Sequence, residues 1–118
     1  MKILWMSRHR YLPSQLEALR RIFGQEVEVV RDSNPFDSAR EIAARFREGG
    51  YGDMVVVAPL SVIKQLLDLD IKPLWAEMEE VPVAEAEVVA RGRGFRFVRF
   101  RRIVGLSLAF EDVPKFYV

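Results

Sequence analysis

The sequence predicts a single α/β domain: a doubly wound, mostly parallel sheet with a C-terminal β-hairpin. Three observations carry that expectation. Met54, Val55, Val56, Val57 and Ala58 form a continuous apolar, largely β-branched run, as in a strand covered by helices on both faces. Before and after it, short apolar runs alternate with segments of helical spacing. In the last third, phenylalanines and arginines interleave around two glycines, the pattern of an antiparallel hairpin. With 118 residues, 50% of them hydrophobic, the chain has enough apolar surface for one core and too little length for two.

Ile3 to Met6 read as the first strand, followed by the polar loop Ser7, Arg8, His9, Arg10 and Tyr11. Pro13 suits a first helical position, and Leu12, Leu16, Leu19, Ile22 and Phe23 recur at helical spacing up to Gly24. Glu26 to Arg31 predict the second strand. Ser38 with Glu41 fits a capping box, opening a helix whose stripe is Ala39, Ile42, Ala43 and Phe46. The valine run is the third strand. Pro59, Leu60 and Ser61 lead into a third helix carrying Val62, Ile63, Leu66 and Leu67, with Ser61 its simplest cap. Lys72 to Met78 are the fourth strand, with Pro73 near its start. Right-handed crossovers and short loops make 2-1-3-4 the simplest strand order, a Rossmann-like arrangement. Residues 1–78 are then the core and residues 79–118 a C-terminal β extension of the same domain.

In that extension Val88 and Val89 suggest one strand, and Phe95, Phe97 and Phe100 another, joined by a turn at Gly92, Arg93 and Gly94. Alternation fails near Val98 and Arg99, so a bulge or bend is expected there. Ile103 to Phe110 predict a further strand.

Formal net charge is +1, which gives no global attraction to nucleic acid or acidic membranes. The chain has no cysteine, so disulfides, thiolate chemistry and Cys-based zinc sites are excluded. A single histidine cannot build a His-rich metal site, and no glycine-rich phosphate loop or G-x-S-x-G elbow is present. No cofactor and no metal are therefore expected. No run approaches the roughly 20 apolar residues that span a bilayer, and the short apolar start reaches Arg8 at once, so a soluble cytoplasmic protein is the default. Arginine heavily outnumbers lysine and Asn34 is the only asparagine, which fits either a thermophile or a GC-rich genome.

In open α/β sheets, ligands bind beyond the carboxyl ends of the strands, where the strand order reverses. Order 2-1-3-4 puts that point between strands one and three. The loops meeting there lead into helix N-termini, which attract anions. The expected ligand is phosphate-bearing or otherwise anionic. Ser7, Arg8 and His9 are the candidate catalytic residues; Arg10, Tyr11, Pro59, Leu60, Ser61 and Lys64 are the candidate ligand contacts. Plainer readings stand beside these: Arg8 and Arg10 as solvated charges, His9 as a structural histidine, Ser61 as a cap only. Glu77 either faces the same crevice or begins an acidic surface.

The arginine-rich segment, Arg91, Arg93, Arg96, Arg99, Arg101 and Arg102, admits three uses. It could bind RNA through phosphate contact and stacking. It could pair with the neighbouring Glu77, Glu79, Glu80, Glu85 and Glu87. It could also form a homodimer interface.

The run Ile3-Leu4-Trp5-Met6-Ser7-Arg8-His9, with Gln15 and the closing Phe23-Gly24, resembles a group of small CRISPR-associated Rossmann-like proteins. The valine-rich strand, Lys72 to Ala76, and the element from Phe95 to Arg102 are similar too. Leu12 departs from the threonine cap of that pattern, and the loop at Pro59, Leu60 and Ser61 has no firm counterpart. The resemblance implies kinship with CRISPR-associated Rossmann-fold (CARF) sensors of cyclic oligoadenylates, some small relatives of which are metal-independent ring nucleases. It implies a homodimer with paired sites, and Ser7, Arg8, His9 and Arg10 as the loop that holds and cleaves the ring. A small nucleic-acid-binding or partner-binding domain without catalysis is the alternative.

Overall fold

The computed structural model describes residues 1–115. It is an α/β structure: one six-stranded sheet and three α-helices. The strands are β1 (Lys2–Met6), β2 (Glu28–Asp32), β3 (Asp53–Val56), β4 (Leu74–Val81), β5 (Val88–Ala90) and β6 (Arg93–Arg102). The helices are α1 (Pro13–Phe23), α2 (Ala39–Glu48) and α3 (Leu60–Asp68). Strand order is β2-β1-β3-β4-β6-β5. The first four strands run parallel, in the expected order 2-1-3-4, and β6 and β5 add antiparallel. The sheet is therefore mixed rather than mostly parallel, because the C-terminal hairpin joins the main sheet through β4.

The helices cover both faces of β1 and β3. Leu4, Met6, Met54 and Val56 pack under α2 and α3, through Ile42, Ala43, Ile63 and Leu66. Ile3, Trp5 and Val55 point the other way, onto Leu19 of α1. This two-sided burial is why both strands are apolar at every central position rather than alternating.

Helix starts follow local chemistry. Ser38 caps α2, its Oγ accepting the Glu41 amide at 3.3 Å, as expected. Glu41 reaches back one residue further than a capping box does and accepts the Asp37 amide at 2.8 Å. At α1 the N-cap is Leu12, which has no acceptor, so Gln15 alone closes the turn by accepting the Leu12 amide at 2.7 Å. Ser61 is not a cap: Pro59 holds that position, and the Val62 and Ile63 amides donate to its carbonyl at 3.0 and 3.1 Å. Proline's fixed φ sets the entry that a serine side chain would otherwise have to hold.

The hairpin turn is Arg91-Gly92, with φ of 53° and 75°, not Gly92-Arg93-Gly94. Two left-handed residues make the tight turn that matches the strand twist. Gly94 lies inside β6, where a side chain does not fit: a Cβ there would sit 2.8 Å from the Val81 carbonyl. The expected bulge is present at Val98, between the pairs Glu77–Arg99 and Met78–Phe97. It has a consequence: the extra residue lets Phe95, Phe97 and Phe100 share one face although their spacing is uneven. Ile103 to Phe110 form no strand. After Ile103 donates to the Pro73 carbonyl at 2.9 Å the chain continues without a ladder partner.

Candidate functional site at the carboxyl ends of β1 and β3

β1 and β2 end in register, Met6 beside Asp32, and β3 ends beside β1, Met6 beside Val56. Two cavities open at this edge and share Ser7, His9 and Val57. The smaller, about 280 Å³, lies between the loop after β1 and the loop after β2, and adds Arg8, Asp32, Asn34 and Phe36. The larger, about 760 Å³, is a mainly apolar groove between the end of β3 and the open side of β4, lined by residues such as Trp5, Leu12, Ala58, Leu60, Ala76 and Met78.

The loop after β1 is held in one shape by its own chemistry. Ser7, largely buried, accepts the His9 amide on its Oγ at 3.1 Å. Trp5 donates its indole N–H to the His9 carbonyl at 2.9 Å, and Arg31 donates to the Arg8 carbonyl. Tyr11 packs edge-on against Trp5, ring centres 5.6 Å apart. With the backbone fixed, the side chains of Arg8, His9 and Arg10 project into solvent at the cavity mouths. Among the described residues neither Arg8 nor Arg10 has a carboxylate partner, whereas Asp32 across the smaller cavity is paired to Arg45 at 3.5 Å.

The structure thus brings Ser7, Arg8, His9, Arg10 and Leu60 to one edge. It separates others. Tyr11 buttresses Trp5 and lines neither cavity; Pro59 and Ser61 are exposed at the start of α3, outside both linings. Lys64 points along α3 to Asp68 at 3.6 Å. At the first turn of α3 the backbone amides of Leu60 and Ser61 are left without an intrahelical acceptor.

Several lining residues are not evident from the helical and strand patterns. Gln15 is polar yet 6% exposed, its Oε1 on the Leu12 amide and its Nε2 3.7 Å from Met78 Sδ at the groove floor. Its position three residues after the cap was the available signal. The run Asp32-Ser33-Asn34-Pro35 has the composition of a turn, and its place at the site, with that of Phe36, follows from β2 lying beside β1.

Five of the six arginines of the arginine-rich segment, all but Arg91, are paired with carboxylates. Arg93 pairs with Glu80, Arg96 with Glu79, Arg99 and Arg101 with Glu77, and Arg102 with Asp53. Glu77 therefore serves this surface and not the crevice. Pairing with Arg93 holds the Glu80 carboxyl below its ordinary range, and the same contact raises the guanidinium. Among the described residues no group of three or more His, Asp or Glu side chains is arranged to hold a metal ion, and no helix is long and apolar enough to cross a membrane.

No protein-family model matches this chain, and neither a curated protein nor a solved structure matches it.

Proposed function

We propose that this chain is a Rossmann-like binder of a phosphate-bearing ligand, and that the ligand is a cyclic oligoadenylate which it cleaves as a metal-independent ring nuclease of type III CRISPR signalling. The observation that supports this reading is the contrast between two sets of arginines. Those of β6 are matched to carboxylates, while Arg8 and Arg10 stand unpaired at the mouths of two cavities beside His9. An uncompensated basic loop at the carboxyl ends of parallel strands, facing the N-terminal turn of α3, attracts anions. The sequence resemblance narrows the anion to a ring of adenylates.

In the proposed reaction a ribose 2′-oxygen forms a bond to the adjacent phosphorus as the bond to the 5′-oxygen breaks. The products are a 2′,3′-cyclic phosphate and a 5′-hydroxyl. The proton leaves the 2′-hydroxyl and one is delivered to the 5′-oxygen. In this reaction His9 carries the proton, and Arg8 and Arg10 hold the non-bridging oxygens. Ser7, whose Oγ already holds the His9 amide, positions the loop. A two-fold symmetric ring suits a homodimer with paired sites.

Incubation with cyclic tetra-adenylate and cyclic hexa-adenylate in EDTA tests the proposal by binding and by product. Linear fragments ending in a cyclic phosphate are expected. His9→Ala lowers turnover by about 10²-fold or more while leaving binding nearly unchanged. Neither binding nor cleavage of either ring would end the proposal. Because most hairpin arginines are already paired, single-stranded RNA is expected to bind weakly and to be released by modest salt.

A further inference from the structure

Two parts of this molecule lack partners, and they fit each other. The first is the edge of β4. β3 pairs with β4 only at Val55–Leu74, so among the described residues no strand lies on that side from Trp75 to Val81. An edge with unpaired backbone groups is a template for another strand. Its surroundings are apolar: Val57 is 61%, Leu60 70% and Trp75 45% exposed around the groove.

The second is the C-terminal segment. Leu106, Leu108 and Phe110 alternate with the small residues Ser107 and Ala109, the period of a strand with one buried face. Leu106 touches the groove rim, but beyond it the chain stands clear: Leu108 is 82% and Phe110 87% exposed. The radius of gyration is 17.1 Å, against about 13.5 Å for a compact chain of this length.

We propose that residues 106–113 of one copy dock as a strand along the free edge of β4 in a second copy, reciprocally, giving a two-fold dimer. A free strand and a free edge in one chain are self-complementary, and reciprocal exchange of an identical element closes at two copies. The chain's own tail is a poorer occupant, since its apolar residues past Leu106 already project away from its own groove. The exchange does not depend on the ligand reading above, and its test contains no nucleotide.

The chain has no cysteine, so introduced thiols report cleanly. Purified full-length Ala76→Cys is mixed with Ser107→Cys, Leu108→Cys or Ala109→Cys and oxidised. At least one mixture is expected to yield a disulfide-linked species of twice the 13.7 kDa chain mass, containing both variants. In parallel, sedimentation of the unmodified chain should show a dimer. The double variant Leu108→Asp/Phe110→Asp should weaken it about tenfold or more, with unchanged circular dichroism because both side chains are exposed in the single copy. The proposal is overturned if no mixture cross-links, if Ala76→Cys/Leu108→Cys in one chain closes only on itself, or if the double variant dimerises as the unmodified chain does.

Discussion

Along β1 every residue from Ile3 to Met6 is buried, whereas β5 buries none and β6 only Gly94. These strands belong to one sheet, yet they are stabilised differently. The parallel part is a sandwich: helices on both faces remove apolar side chains from water, the dominant favourable contribution to folding. The antiparallel part keeps one phenylalanine face against Trp5 and α1 and leaves the other to ion pairs in solvent. Exposed pairs are screened and contribute little each, so this part depends on its attachment to the first. The joint is Arg102 of β6, which makes a two-pronged contact with Asp53 of β3 at 2.8 and 2.7 Å and also donates to the Lys72 carbonyl at 2.8 Å.

If the contrast is right, truncation in the sandwich has the largest effect. Leu4→Ala, at a fully buried position, is expected to cost about 2–5 kcal/mol in denaturant unfolding. A cost below about 1 kcal/mol would contradict the two-sided core. Arg102→Ala comes next, at about 1–2 kcal/mol, because Asp53 is left largely buried without its cation while the arginine itself is partly exposed. Hydrogen exchange should then quicken in β6 and β5 ahead of β1 and β3; uniform quickening would mean the two parts are not separable. Glu77→Gln removes the shared partner of Arg99 and Arg101 and should cost less than about 1 kcal/mol, a difference that shrinks further in 1 M salt.

Acid has the smallest and most local effect. The folded Glu80 carboxyl is held below its ordinary value of 4.5 by Arg93, and Glu41 by the Asp37 amide first and Arg45 second. A lowered folded pKa contributes stability that is present above the unfolded value and is lost as pH falls through the folded one. Melting temperatures measured on the acid side of 4.5 should therefore decline, and Glu80→Gln should flatten part of that decline. An identical acid profile in the variant would remove Glu80 from the account.

Strand order among the first four strands, the α2 cap at Ser38 and the bulge at Val98 were legible because each has a local cause: a continuous apolar run, a hydroxyl three residues before a carboxylate, a break in alternation. The position of the loop from Ser7 to Arg10 at the carboxyl ends of β1 and β3 was legible because strand order places it at the sheet's reversal point. Tyr11, Pro59, Ser61 and Lys64 lie outside both cavities, although each is close in sequence to a residue that lines one. A two-residue change in where α3 begins, set by Pro59, moves Ser61 from cap to first turn, and the helical turn carries Lys64 round to Asp68.

What remained for the tertiary structure to decide was long-range. Apolar periodicity states that Leu106, Leu108 and Phe110 could line a strand, but nothing local supplies the neighbour that would make them one. Likewise the arginines of β6 read as a nucleic-acid surface or as pairs for the glutamates with equal ease. The tertiary structure supplies the pairing: register across β4 and β6 sets Arg99 opposite Glu77 and Arg96 opposite Glu79, and Arg102 reaches across to Asp53 of β3. Burial patterns are written along the chain because each side chain meets the core on its own; partnership between strands is not, because it depends on which distant backbone arrives alongside.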